Sequence, residues 1–373
     1  MMYTETGKEV RSRMEIIKER LTRLRERMKE HRVGVYVIPS SDCHESEYVC
    51  AHYRAREYLS GFTGSAGTLV VTMEEAGLWT DGRYFLQAER QLKGTGIRLF
   101  RSGEPEVPKI EEYAEQKLSR DSVLGFDGRT MGAHRAETLI RAAEKKGAGV
   151  LVTEDLAGQV WDNRPEIPDT ELYVLDLCYA GEDTKSRLAR VRAEMEKIKA
   201  DVHVLGDLCD IAWLLNIRGG DIPCVPVVLS FLCVTKEDCI WYVREQIMTE
   251  EIRQYLKERG VLVRDYEAVY KDLSGLAAGR KVLLDKKNVN YRLLTAVSGQ
   301  ADVIDRRSPA ELMKAVKNDT EIRNLRTAHL KEGIAFTRLM YWLKTGAGKE
   351  ALTERSVAEY LDARRREQEH YVG

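Results

Sequence analysis

Two stretches of this chain follow one plan, and that internal duplication limits the fold more than any other feature. The first runs amphipathic helix (14–28), apolar strand (33–38) and the turn Gly61-Phe62-Thr63-Gly64-Ser65-Ala66-Gly67. A strand at 69–72 follows, then the hairpin-like Leu78-Trp79-Thr80-Asp81-Gly82-Arg83-Tyr84-Phe85. The second runs helix (188–198), strand (202–205), Asn216-Ile217-Arg218-Gly219-Gly220-Asp221, then 232–235 and 239–244. The closing strands also correspond, 123–127 with 282–285. The offset drifts between about 155 and 170 residues, which is duplication of a domain and not a short solenoid repeat.

Each half opens with an amphipathic helix. Met14, Ile17, Leu21, Leu24 and Met28 are spaced 3, 4, 3, 4, and Leu188, Val191, Met195 and Ile198 repeat the stripe. Helices alternating with short β runs predict an α/β fold, a mixed sheet flanked by helices, built twice. Asp81-Gly82 between apolar runs predicts a two-residue hairpin turn. Pro165 and Pro168 mark a stiff linker, and Ser308-Pro309 a helix start with a serine cap and proline in the first turn. Beyond it the sequence is helical, with an apolar stripe from Ile322 to Leu343, a break at Gly346-Ala347-Gly348 and a last helix around Val357, Tyr360 and Leu361. The expected units are residues 10–160, 163–307 and 309–373, the third being the opening helices of an incomplete domain. The apolar stripe from Phe336 to Leu343 is expected to need covering, or to drive self-association.

The composition narrows the function classes. A net charge of −1 supplies no field for nucleic acid or an anionic membrane, so neither partner is expected. No apolar run approaches the roughly 18 residues of a spanning helix, and residues 1–13 lack the apolar core of a secretion signal. Seven cysteines at scattered positions fit reduced thiols and a cytoplasmic location better than a disulfide framework.

Few motifs carry chemistry. Cys43, His44, Cys50 and His52 have the residue types for zinc, but adjacent ligands at 43 and 44 do not easily share one ion, so turn or core positions are expected. The triplet Gly61, Gly64, Gly67 runs into a strand instead of a helix, which excludes a dinucleotide fingerprint; Ser65 follows Gly64 directly, which excludes a nucleophile elbow. A structural turn remains. Arg83, beside two aromatics at a turn, is suited to present a guanidinium to a carboxylate, with a salt bridge to Asp81 as the simpler reading. Arg218 and Asp221 hold the parallel place in the second half, where a structural pair is expected. The seven histidines form no nucleophile–base set with Ser, Cys or Asp.

Several longer segments carry a resemblance. Ser40-Ser41-Asp42-Cys43-His44-Glu45-Ser46-Glu47-Tyr48, the Gly61–Gly67 turn and Trp79-Thr80-Asp81-Gly82-Arg83-Tyr84-Phe85-Leu86-Gln87-Ala88 resemble the first domain of three-domain Xaa-Pro aminopeptidases (aminopeptidase P). Ile211-Ala212-Trp213-Leu214-Leu215-Asn216-Ile217-Arg218-Gly219 resembles their second domain, and Lys314-Ala315-Val316-Lys317-Asn318 with Glu321 the entry to their third. The resemblance implies two creatinase-N-like domains ahead of a pita-bread catalytic domain. That domain would hold two Mn²⁺ on two Asp, one His and two Glu, and a metal-bridging water would attack the peptide bond before proline. All five ligands would lie beyond residue 373. The resemblance therefore implies no catalytic residue and no bound metal in this chain, and no activity from it alone. It further implies proline-containing peptides as substrates of the parent, a homodimer, and Arg83 as a substrate contact, in a partner subunit's site or its own. A catalytically dead binding or scaffold protein of the same descent is the alternative; a nucleotide-binding α/β enzyme is disfavoured by the failed fingerprint.

Overall fold

A computed structural model describes residues 7–346, 348 and 352–372. The first six residues, which belong to the segment read above for a secretion signal, and Ala347 of the glycine break lie outside the described residues. The strands are β1 (Val33–Pro39), β2 (Thr68–Thr72), β3 (Ala76–Thr80), β4 (Ile97–Arg101), β5 (Val123–Gly125), β6 (Gly149–Leu151) and β7 (Tyr173–Val174). There follow β8 (Val202–Leu205), β9 (Ile217–Arg218), β10 (Ser230–Thr235), β11 (Cys239–Val243), β12 (Val261–Arg264), β13 (Lys281–Leu284) and β14 (Asp302–Asp305). They form two six-stranded sheets, ordered β4-β3-β2-β1-β5-β6 and β12-β11-β10-β8-β13-β14, with β7 and β9 as a small separate pair.

The two sheets are copies strand for strand. In each, the first strand pairs antiparallel with the second, the second antiparallel with the third, and the remaining neighbours run parallel. The ladders fix which residues correspond. Val35 opposite Thr72 matches Val202 opposite Thr235, an offset of 167 on the first strand and 163 on the second. Leu124 and Val282 then differ by 158. Side chains repeat the correspondence: Thr72 Oγ1 accepts from Glu75 N–H at 2.9 Å and Thr235 Oγ1 from Asp238 N–H at 2.8 Å. Arg25 and Arg192 donate to the carbonyls of those same threonines.

The opening helices Gly7–Glu30 and Thr184–Lys197 bury the predicted stripes, with Ile17, Leu21, Leu24 and Met28 in one core and Leu188, Val191 and Met195 in the other. Both sheets are covered on both faces, so β2, β3, β10 and β11 are buried along their whole length. The domain II core on one face reaches into domain I and takes in Cys43, Cys50, Tyr53 and Ala133. The domains meet about a local two-fold: Gly132 and Asn290, the residues before the corresponding helices Ala133–Lys145 and Tyr291–Val297, form an antiparallel bridge. Around it Ala133 N–H donates to Val289 at 2.9 Å, Tyr291 N–H to Met131 at 2.8 Å and Asn290 Nδ2 to Cys43 O at 2.8 Å.

One expected element is not there. Asp81-Gly82 does not turn a hairpin; the chain enters the helix Phe85–Leu92 and returns as β4, parallel to β3. Asp81 Oδ1 accepts the N–H of Arg83 and its backbone carbonyl that of Tyr84, a turn that starts a helix; Phe85, Ala88 and Leu92 then recur at helical spacing. Ser308 does cap Pro309–Ala315, its hydroxyl accepting from Ala310 N–H. The helices Asp319–Gly346 and Glu354–Arg366 pack together, with Trp342 stacked on Tyr360 at 4.2 Å. On the first of them Leu330, Phe336 and Tyr341 are exposed, whereas Leu339 is buried.

Two buried groups hold these parts together. Arg56 donates to Ser40 Oγ at 2.9 Å, to Gly64 O at 2.5 Å and to Phe62 O, closing the glycine turn; burial lowers its pKa to about 10. Removing the guanidinium strands two buried carbonyls, so Arg56→Met is expected to cost about 2–4 kcal/mol in urea unfolding. Gly64→Ala should cost a similar amount, because a Cβ there lies 2.2 Å from the ring of Phe62. His203, within the second sheet, bonds Leu283 O at 3.1 Å and Ser308 Oγ at 3.3 Å, and burial holds its pKa down to about 4. Unfolded, it titrates near 6.5. Between those values only the unfolded chain binds the proton, so this residue makes stability rise with pH from about 4 to 6.5. His203→Gln should remove up to about 1.4 kcal/mol per pH unit of that slope; equal slopes in both proteins would contradict the assignment.

Candidate functional site

The carboxyl ends of β1, β3 and β4 and the start of β2 surround a groove of about 650 Å³ in domain I. Three sequence features bring its walls together. The segment after β1 carries Ser40, Ser41, Glu45 and Glu47; the glycine turn presents Ser65 to Thr68; the Asp81 turn presents Arg83 and Tyr84. Arg56, behind the wall, ties the first of these to the second. Arg135 enters from the helix Ala133–Lys145 and donates to Thr68 Oγ1 at 2.5 Å. Ser41 Oγ donates to Glu45 at 2.8 Å, and burial raises the pKa of that carboxyl.

Arg83 lies at the rim, largely exposed. Its Nε and Nη2 each reach a carboxylate oxygen of Asp81 at 2.9 Å, and that bond raises the pKa of the guanidinium and lowers that of Asp81. Ser65 Oγ and Tyr84 OH lie 2.6 Å apart. Among the described residues no groove hydroxyl is bonded to a histidine; the groove presents hydroxyls, carboxylates and guanidinium groups.

Arg218 and Asp221 do not pair with each other. Arg218 donates to the carbonyls of Ala212 and Ile217, at 2.5 and 3.0 Å, as the chain leaves the left-handed cap Asn216. Asp221 accepts from Thr170 and from Leu229 N–H at 2.9 Å. A short loop pattern placed them together; the long excursion between β9 and β10 gives each its own partner.

Cys43, His44, Cys50 and His52 also part company. His44 is buried at the domain interface, with Nδ1 2.9 Å from Gly206 O and Nε2 2.7 Å from Tyr266 OH, its ring 4.4 Å from that of Phe231. A carbonyl only accepts, so Nδ1 carries the proton and Nε2 accepts from the tyrosine. Burial lowers its pKa against the pull of Asp42, and the thiols of Cys43 and Cys50 are pushed up by the same cause. His52 instead lies 2.7 Å from Pro165 O in the linker. Among the described residues no three His, Cys, Asp or Glu side chains gather where they could hold a metal ion, so these residues do not fit a dinuclear centre.

Sequence reading missed Arg56, Arg135 and Arg244. Arg56 and Arg135 stand in stretches that look like solvated charge and Arg244 at the end of an apolar strand, and only the carbonyls and hydroxyls that fold around each reveal its use. Arg244 follows β11 and donates to Ile167 O at 3.0 Å, to Pro168 O at 2.5 Å and to Asp169, so the linker lies against the end of the second sheet.

Models of the creatinase/prolidase N-terminal domain match residues 20–155 and 163–321. A probable Xaa-Pro aminopeptidase P of Botryotinia fuckeliana is 38% identical over 367 residues, covering 95% of this chain and 56% of its own length. Aminopeptidase P2 of Arabidopsis thaliana is 34% identical, covering 96% and 55%. Among solved structures, the X-prolyl aminopeptidase of Caenorhabditis elegans, described as a cytosolic enzyme with a di-nuclear active site, superposes with a TM-score of 0.89 at 29% identity, over 95% of this chain and 60% of that one. The chain thus spans little more than half the length of these relatives. No helix of the described residues is long and apolar enough to cross a membrane. The chain carries two creatinase/prolidase N-terminal domains in tandem and is homologous along both to the Xaa-Pro aminopeptidases of the P type.

Proposed function

We propose that these domains form the N-terminal region of a cytoplasmic Xaa-Pro aminopeptidase. The whole protein would remove the first residue from peptides with proline second, with a dinuclear manganese centre in a pita-bread domain that opens with the helices after Pro309. The observation that carries this reading is the superposition on the C. elegans enzyme over 95% of the chain. In this reading the residues in hand supply no hydrolytic step. They shape access to the substrate site and the contact between protomers of a homodimer, and Arg83, presented at the groove rim with its Nη1 still open to a ligand, meets a peptide carboxylate.

The exposed Leu330, Phe336 and Tyr341 favour one other reading, in which this face of the chain serves as an assembly surface for a protein without catalysis. Release of the first residue from an Xaa-Pro-Pro peptide, with and without Mn²⁺, separates the two. Residues 1–373 are expected to be silent, and a protein extended by the remaining length of its relatives to be active with metal. Silence from both would leave the assembly reading. Within the active protein, Arg83→Ala should lower kcat/KM on short peptides about tenfold or more, the value of a lost charge-assisted hydrogen bond. An unchanged kcat/KM would remove Arg83 from the substrate site.

A further inference from the structure

We propose that the groove of domain I binds an extended peptide segment, with Arg135 taking its carbonyl or carboxylate oxygens. The inference rests on the aminopeptidase reading for the class of ligand, and on the duplication for its place. The ladders and the paired threonine turns make Asp81, at the groove of domain I, the counterpart of Arg244, and Ala66 that of Leu229. In domain II this end of the sheet is already occupied by the chain's own extended linker. Arg244 takes the carbonyls of Ile167 and Pro168 and the carboxylate of Asp169, while Gly220 N–H donates to Thr170 Oγ1 at 2.9 Å. Leu229 N–H is held by Asp221, which also receives the hydroxyl of Thr170. The second copy thus displays what this end of the fold does with an extended, proline-containing strand. In domain I none of the described residues fills the corresponding space, and the groove stands open.

The open groove has the matching chemistry, carried by other residues. The arginine that offers donors is no longer at the end of the third strand, where Asp81 stands; it comes from the helix after β5. Arg135 has five N–H groups in a rigid fork, and among the described residues the acceptor on them is Thr68 Oγ1. It forms no ion pair among the described residues; Glu45 and Glu111 face it from farther off. Arg135 is half-buried and lines the groove, where a peptide backbone supplies further acceptors for its N–H groups. Glu45, from the segment after β1, accepts from Ser41 and lies against Gly132 at the start of the same helix. A guanidinium and a carboxylate lining one groove suit a main chain, which carries both acceptors and donors, better than a simple anion. Arg83, turned to Asp81, is left to act at the rim.

The test uses the 373-residue protein and the hexapeptide Arg-Pro-Glu-Ile-Pro-Asp, the linker's own sequence from 164 to 169. Calorimetric titration is expected to show one site, weakened about tenfold or more in Arg135→Gln and less in Arg135→Lys, with Lys145→Ala on the same helix as the unaffected control. A photoreactive version of the peptide should label the segments 40–48 and 65–68, which keeps the proposal decidable if a variant fails to fold. No saturable binding, equal binding by Arg135→Gln, or labelling confined to domain II would overturn it. Peptidase activity of the extended protein without hexapeptide binding would sink this inference and leave the aminopeptidase reading intact. Binding together with a silent extended protein would do the reverse.

Discussion

Everything in this molecule is arranged around one bridge, where Gly132 meets Asn290. Each residue ends the turn that follows the fifth strand of its sheet and starts the next helix, so the two domains join through the same piece of chain used twice. An aspartate prepares the turn in each copy: Asp127 accepts from Arg129 N–H at 2.9 Å and Asp285 from Lys287 N–H at 3.0 Å. Backbone groups that a lone domain would leave to water are thereby paired across the interface, which settles their hydrogen bonds without side chains. From that junction follow the burial of Cys43, His44 and Tyr53 against domain II and the orientation of the segment after β1 that walls the groove.

Duplicated domains differ in how they use identical geometry. At the same position on the first strand, Tyr36 in domain I and His203 in domain II each reach the segment that leaves the sheet's last strand, the tyrosine at Glu154 and Leu156, the histidine at Ser308. The same position thus does the same structural work with different chemistry. The arginines behave similarly. Arg20 and its counterpart Arg187 both donate to backbone carbonyls, of Tyr58 and of Ala180 and Trp213, and both lie over an aromatic ring, of Tyr58 and Trp213, but only Arg187 is sealed from solvent. Burying such a cation is tolerable because the carbonyls of Trp213 and Ala180 and the side-chain oxygen of Asn216 accept from its Nη1 and Nη2, and the nearby Glu182 and Glu321 offset its charge.

Much of the fold was legible because it is written in periodicity. Helical stripes such as Ile17, Leu21, Leu24 and strand runs such as 202–205 are local signals, and duplication supplies each of them twice. The serine cap at Ser308 was equally local. The hairpin at Asp81-Gly82 was misread because an aspartate–glycine pair serves both a tight turn and a helix entry; only the spacing of Phe85, Ala88 and Leu92 distinguishes them. The groove was largely invisible. Its lining comes from residues 40 to 110 and from residue 135, and no sequence pattern announces a guanidinium whose partner is a hydroxyl 67 positions away. The supposed pair Arg218 and Asp221 failed for the converse reason, since proximity in sequence promised a contact that the loop between them does not make.

The linker pinned by Arg244 is more than a tether. A ligand attached to its own receptor is present at an effective concentration that free peptides rarely match, in the millimolar range for short connections. The second copy of the fold is therefore closed to competitors by its own covalent continuity. Gene duplication here has yielded one binding face that outside molecules can reach and one spent on holding the pair together, a division of labour settled by where the chain runs between them.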